Sequence, residues 1–214
     1  MVRDAVVGDV VYFGAYPQGE DGVERTPIQW RVLQAVDGDV LLVSEYLLDC
    51  KRYHRANLDT TWRDCDLRAW LAGAFYEAAF SEAEKACIRP RTCDADTEDR
   101  VSLLSAFELK TFTDPRDGGD GKIRRRTVGT KFAAAAKADG CRLYVYDKGV
   151  EADYVTVDGE KRGCSWWWSR TQTHEDASRA SFVGARSNVK TYGQVATPYY
   201  GVRPVILISR KGCA

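Results

Sequence analysis

A chain of 214 residues, 44% hydrophobic and 29% charged, falls in the ordinary range of soluble globular proteins and can bury a sizeable core. Lys plus Arg and Asp plus Glu both number 31, so the formal net charge is zero, which argues against a general nucleic-acid binder. The seven cysteines are odd in number and include no Cys-x-x-Cys pair, which argues against zinc ribbons and thioredoxin-type sites.

Met1-Val2-Arg3-Asp4 leads into a strand-like segment with no apolar signal region, and no later stretch is apolar enough to span a membrane. As written, the chain reads as cytoplasmic, with free and mostly buried thiols; as part of a longer parent it would be surface or extracellular. Gly8 to Gln18 reads as a strand closed by Tyr16-Pro17-Gln18-Gly19. Pro27 to Tyr46 reads as a hairpin turning at Asp37-Gly38, with Ile28, Trp30 and Val32 on one face. The return run Val40–Val43 is apolar enough to be buried on both faces.

A helix is expected next, capped by Thr61, with Leu67, Trp70, Leu71, Ala74, Phe75 and Ala78 at helical spacing. Ser81-x-x-Glu84 is a capping box for a short second helix that Pro90 stops. Asp94, Asp96, Glu98 and Asp99 have oxygens spaced like a calcium loop. Asp99 stands where such a loop needs glycine and Ser105 where it needs glutamate, so a solvated loop is expected, with no metal and no cofactor. Val101–Leu104 reads as a buried strand, and Ser105-x-x-Glu108 opens a helix to about Phe112. Asp114–Gly121 is a loop. The basic run Lys122–Arg126 is a solvated segment or one that serves an acidic partner, and it lacks the Ser/Thr and upstream glycine of a phosphate-binding loop. Thr130–Ala138 reads as a helix ended by Gly140.

From Leu143 the pattern turns to strands, with a turn at Asp158-Gly159. Trp166, Trp167 and Trp168 must load both faces of a strand; Trp167 is expected to be buried, with the other two opposite. Thr171–Tyr200 is polar and poor in aliphatics, and reads as surface loops. Val205–Ile208 is a buried closing strand. The whole reads as one α+β domain, residues 1–214.

Nucleophilic catalysis finds weak support. Cys164 lies ten residues before His174, but no nucleophile motif surrounds either, and a metal site at His174, Glu175 and Asp176 is no better founded. Recognition fares better, because Tyr, Trp, Ser, Asn, Arg and Gly dominate the segment 171–201. The candidate ligand-binding residues are Trp166, Trp168, Arg170, Arg179, Ser181, Arg186, Ser187, Asn188, Tyr192, Tyr199 and Tyr200. The expected partner is a protein or other macromolecule bound without catalysis. The alternatives are an enzyme using Cys164 and His174 or a metal, and a structural domain of a larger surface or phage-related protein.

Several landmarks form a set: Tyr16-Pro17-Gln18, Pro27-Ile28-Gln29-Trp30, Asp66-Leu67-Arg68-x-Trp70-Leu71, Phe75-Tyr76-x-x-Ala79-Phe80, Leu103-Leu104-Ser105, Trp167-Trp168-Ser169-Arg170 and Val202-Arg203-Pro204. In order and spacing they resemble a bacterial family of domains with no assigned function, in which the motif usually runs Trp-Trp-Leu-Arg-Ser-Pro. Here Ser169 replaces the Leu and Thr171-Gln172 replaces Ser-Pro.

More distantly, Gly163-x-Ser165-Trp166 followed by Gly201-Val202-Arg203 resembles the C-type lectin fold in its formylglycine-generating-enzyme branch. That resemblance implies paired terminal strands, central helices and a loop-rich C-terminal half presenting ligands. The enzyme's cysteines would fall near Trp168 and Thr173, so its activity is not expected, and the calcium motifs of sugar-binding lectins are absent. The branch also holds receptors diversified by retroelements. By that resemblance, Arg179, Ser181, Ser187, Asn188, Tyr192, Tyr199 and Tyr200 are compatible with adenine-directed variation, whereas Trp166 to Trp168, Lys190 and Gln194 would be fixed.

Overall fold

The computed structural model describes residues 2–94, 97–115, 122–173 and 175–211. After a short 3-10 turn at Val2–Asp4, β1 (Val10–Pro17) pairs antiparallel with β2 (Arg25–Val36). A bulge between Tyr12 and Ala15 carries Gly14 at φ +66°, where an added Cβ would stand 2.7 Å from the Ala79 carbonyl oxygen. β3 (Asp39–Ser44) returns through Asp37-Gly38, whose φ values of 53° and 85° are those of the turn that matches strand twist. β4 (Asp49–Cys50) follows.

The helical block starts later than expected. Thr61 Oγ1 bonds Asp64 Oδ2 at 2.6 Å in the preceding turn, so the cap of α1 (Asp66–Trp70) falls to Cys65, whose sulfur accepts from the Arg68 amide. The helix runs through a π-helical stretch, Leu71–Phe75, into α2 (Tyr76–Ala79). Leu67, Leu71, Phe75 and Ala79 stack down its buried side. Both capping boxes form as read: Ser81 with Glu84 opens α3 (Glu82–Cys87), and Ser105 with Glu108 opens α4 (Ala106–Phe112). Between them lie β5 (Ile88–Arg89), β6 (Arg91–Asp94), β7 (Thr97–Asp99) and β8 (Val101–Ser102).

β9 (Thr113–Asp114) pairs parallel with β10 (Ile123–Arg124). The expected helix to Ala138 shrinks to one turn, α5 (Lys131–Ala134). Ala135 is already extended, and the chain folds back so that the Lys137 amide donates to Cys141. β11 (Tyr154–Val157) and β12 (Glu160–Gly163) form a hairpin on Asp158-Gly159. Then come β13 (Trp167–Gln172), β14 (Arg179–Val183), β15 (Val189–Gln194), β16 (Gly201–Val202) and β17 (Val205–Ser209).

The architecture is α+β, mostly strands with few and short helices. One sheet runs β1-β2-β3-β17-β5, with β8 also on β17; the other runs β15-β14-β13-β16-β4. The terminal strands therefore do not pair with each other. The Asp37-Gly38 turn lays β3 beside β2, and β17 takes the free edge of β3, leaving β1 at the sheet margin. The 171–200 segment alternates strands with connections rather than being loop alone. It folds as a meander in which Ala180, Phe182, Gly193 and Val195 are buried while Tyr192 and Gln194 face out. β3 and β17 are buried on both faces: Val40, Leu42, Ile206 and Ile208 join a core with Trp30, Phe75 and Trp168, and Leu41, Val43 and Val205 join another with Trp167.

Gly201 sits where the second sheet changes sense, parallel to β13 at Trp167 and antiparallel to β4 at Cys50. A Cβ there would lie 2.4 Å from Leu47 Cδ1. Gly201→Ala should cost about 1–3 kcal/mol by overpacking, read as a lower urea midpoint with an unchanged slope.

Candidate ligand-binding site

The tryptophan run splits between two environments. Trp167 points into the core that contains Leu41 and Val205, with the Arg203 guanidinium 5.2 Å from its ring. Trp168 points the other way; its ring lies 4.1 Å from Tyr200 and 5.6 Å from Tyr53, and its indole N–H donates to the Lys51 carbonyl at 2.9 Å. Both are fully buried. Trp166 shares the Trp168 side but sits just before β13, where it is only half-buried. Its ring stacks on Tyr144 at 4.9 Å and 28°, with Tyr200 at 5.7 Å and Phe182 at 6.1 Å.

Of this group, Trp166 reaches a small opening of about 200 Å³, lined also by Tyr146, Ala185, Arg186, Asn188 and Lys190 among others. The β14–β15 connection supplies its rim. The Gly184 amide donates to Asn188 O at 2.8 Å and the Ser187 amide to Gly184 O at 3.0 Å. Ser187 adopts φ 71° and is buried, and its carbonyl accepts from Arg125 Nη1 at 3.0 Å. The loop is thus pinned from beneath while Arg186 and Asn188 face solvent. Arg186 bonds Asp153 Oδ1 at 2.6 Å and lies 5.4 Å from the Tyr146 ring. That hydrogen bond holds the Asp153 carboxyl below its ordinary range. Lys190 Nζ donates to the Tyr192 hydroxyl at 2.9 Å. Burial, then the neighbouring Tyr192, pushes the Tyr200 hydroxyl up to about 12, so it stays neutral at physiological pH. Flat apolar faces beside fixed cations and an amide suit a ring or chain that is stacked on one side and hydrogen-bonded at its edge.

Of the candidate residues, Trp166, Arg186 and Asn188 meet at this opening. Tyr192 and Tyr199 are exposed, and Arg179 is half-exposed and paired with Asp176 at 2.8 Å. Five candidates belong to the interior instead: Trp168, Arg170, Ser181, Ser187 and Tyr200. Arg170 turns inward because its guanidinium finds the Cys93 carbonyl, the Leu103 carbonyl at 2.9 Å and the Glu108 carboxylate. Sequence reading passed over Tyr146 and Lys190. The Tyr144/Tyr146 pair and the exposed stripe of β15 carry the signal for them.

Cys164 is buried, and His174 lies outside the described residues. Asp176 is engaged by Ser178 and Arg179. Among the described residues no group of three His, Cys, Asp or Glu side chains could hold a metal ion. The acidic segment is not simply a solvated loop. Asp99 is buried and accepts from Trp62 Nε1 at 2.8 Å and Arg68 Nε at 2.7 Å, while Asp96 lies outside the described residues. Cys50, Cys65, Cys93, Cys141 and Cys164 are buried and not disulfide-bonded, whereas Cys87 is disulfide-bonded.

The profile of DUF6273, a domain of unknown function, matches residues 37–210. The chain belongs to the DUF6273 family. The matched stretch takes in the whole second sheet and the aromatic opening, and leaves β1 and β2 outside. No curated protein and no solved structure matches this DUF6273 chain. Among its described residues no helix is long and apolar enough to cross a membrane.

Proposed function

We propose that this DUF6273 chain is a non-enzymatic binding module that recognises a protein ligand through the face built from Trp166, Arg186, Asn188, Lys190, Tyr192 and Tyr199. The observation that carries the reading is the opening itself: Trp166, backed by its stack on Tyr144, stands beside cationic and amide groups held on a pinned hairpin. A half-buried tryptophan with a rigid backing loses little entropy on binding. Selection of a phage-displayed random peptide library on the folded chain tests it. Enriched peptides should lose at least about tenfold in affinity for Trp166→Ala, a hot-spot-sized effect. Peptides that bind Trp166→Ala as well as wild type would remove this face from the proposal.

The finer scaffold reading, a C-type-lectin-like fold related to retroelement-diversified receptors, is part of the same proposal. It is supported by the Gly163-x-Ser165-Trp166 and Gly201-Val202-Arg203 segments meeting in space, where the Gly201 amide donates to the Trp166 carbonyl at 2.7 Å. Burial narrows the positions at which variation could alter binding to Arg179, Asn188, Tyr192 and Tyr199. Genomes encoding the chain should then hold a neighbouring reverse transcriptase and a near-copy of this coding segment that differs only at adenines. Differences at other bases would sink the diversification.

A further inference from the structure

A second cavity, of about 260 Å³, lies where β2, the end of β3, β10 and the turn before β17 come together, and it is independent of the aromatic opening. Four cationic residues line it, Arg31, Lys122, Arg124 and Arg203, against one carboxylate, Glu45. Glu45 is already committed, receiving Arg31 Nε at 2.9 Å and Nη2 at 2.8 Å. Arg31 spends its remaining arm on the Gly8 carbonyl at 2.7 Å. Arg203 is almost wholly buried, its guanidinium set by the carbonyls of Ser44 at 2.8 Å and Arg125 at 3.2 Å. Arg124 differs from both. Its side chain is about one-third exposed, donates no hydrogen bond among the described residues, and reaches Glu45 only at 3.9 Å. Lys122 is exposed beside it, and among the described residues its ammonium donates to the Lys110 carbonyl at 3.3 Å.

We propose that this cavity is a phosphate-binding site, with Arg124 and Lys122 as the ligand's direct partners and Arg31 and Arg203 as fixed positive charges behind them. Arg31, Arg203 and the Lys122–Arg124 stretch bring these cations from three separate elements. That suits a tetrahedral oxyanion with several acceptor oxygens better than a second planar carboxylate. Gly8 keeps one wall low, with open space where a side chain would begin. Arg203 feels its burial first and the neighbouring charges second. Burial lowers its guanidinium to about 10, Glu45 opposes this, and Arg124 and Arg31 lower it further.

Titration calorimetry and thermal melting of the intact chain with inorganic phosphate, with glycerol 3-phosphate, and with chloride at matched ionic strength test the site. Either phosphate should bind one-to-one at millimolar concentration or tighter and raise Tm above the chloride control. A preference for glycerol 3-phosphate would mark an esterified ligand, and a preference for inorganic phosphate the free ion. Arg124→Gln should weaken binding at least tenfold, and Lys161→Gln, on the distant β12, should leave it unchanged. No one-to-one binding by either phosphate would overturn the proposal, as would equal affinity in Arg124→Gln, which would reduce the effect to general screening.

Discussion

Arg203→Ala should destabilise the fold by about 3–5 kcal/mol, enough to unfold much of the protein near physiological temperature if its stability is typical. The expectation rests on what the guanidinium holds. It is 2% exposed, its Nε donates to the Ser44 carbonyl and its Nη atoms to the carbonyls of Arg125, Arg124 and Glu45. These carbonyls belong to the ends of β3 and β10, so one side chain ties both to the turn before β17. Alanine would remove the guanidinium's bonds to these carbonyls, of which, among the described residues, only Glu45's keeps a side-chain donor in Thr127 Oγ1, and strip the cation from the Trp167 face, each a cost of order 1–3 kcal/mol. Lysine should recover only part of the loss, because a point charge cannot reproduce a fork. Guanidinium denaturation of Arg203→Ala, Arg203→Lys and the exposed-pair control Lys161→Ala checks this; the control should change stability by less than about 1 kcal/mol. A near-neutral Arg203→Ala would show that these carbonyls find other donors.

The second large effect belongs to Arg170, and it adds a pH signature. Arg170 and Arg91 both grip Glu108, the residue that also closes the capping box of α4. Burial alone would raise the Glu108 carboxyl. The hydrogen bond and charge of Arg91, the charge of Arg170 and the Ser105 amide outweigh it and hold the carboxyl down to about 2 from its ordinary 4.5. A lowered folded value favours the folded state above the unfolded value, so this contribution is complete above about pH 4.5 and fades as the pH falls toward 2. Its size is on the order of 3 kcal/mol. Arg170→Ala should cost about 3–5 kcal/mol at neutral pH by leaving Glu108 half-paired, taking both guanidinium donors from the Cys93 carbonyl and leaving the Leu103 carbonyl only its longer bond from Arg91. Glu108→Gln should flatten the fall in stability between pH 4.5 and 2. An unchanged acid limb in Glu108→Gln would mean that other carboxylates govern acid unfolding.

Signals confined to a few residues were legible in the sequence. Asp37-Gly38 and Asp158-Gly159 turn as read, and both Ser-x-x-Glu boxes form, because each is settled by backbone dihedrals and hydrogen bonds within one turn. Val40–Val43 could be read as buried on both faces because a continuous apolar run allows little else. The failures share a cause in long-range contact. Charged side chains default to the surface, so nothing near Arg170 announces that Glu108, sixty-two positions earlier, will neutralise it. The polar run after Gln172 resembles loop because β15 buries few of its residues and takes its order from β14. At the candidate site, composition pointed to Trp166, Arg186 and Asn188. Separating them from buried Ser181, Ser187 and Tyr200 required strand register, which composition does not contain.

The place of β17 bears on how the protein comes off the ribosome. Val205–Ser209 is central to its sheet, between β3 on one side and β5 and β8 on the other, yet it is translated after all of them. Until it arrives, β3 has an open hydrogen-bonding edge lined with Val40, Leu41, Leu42 and Val43. The nascent chain therefore carries an aggregation-prone groove through most of its own synthesis. The last strand of the sheet acts as a keystone, closing the β3 edge only once everything beside it has been made.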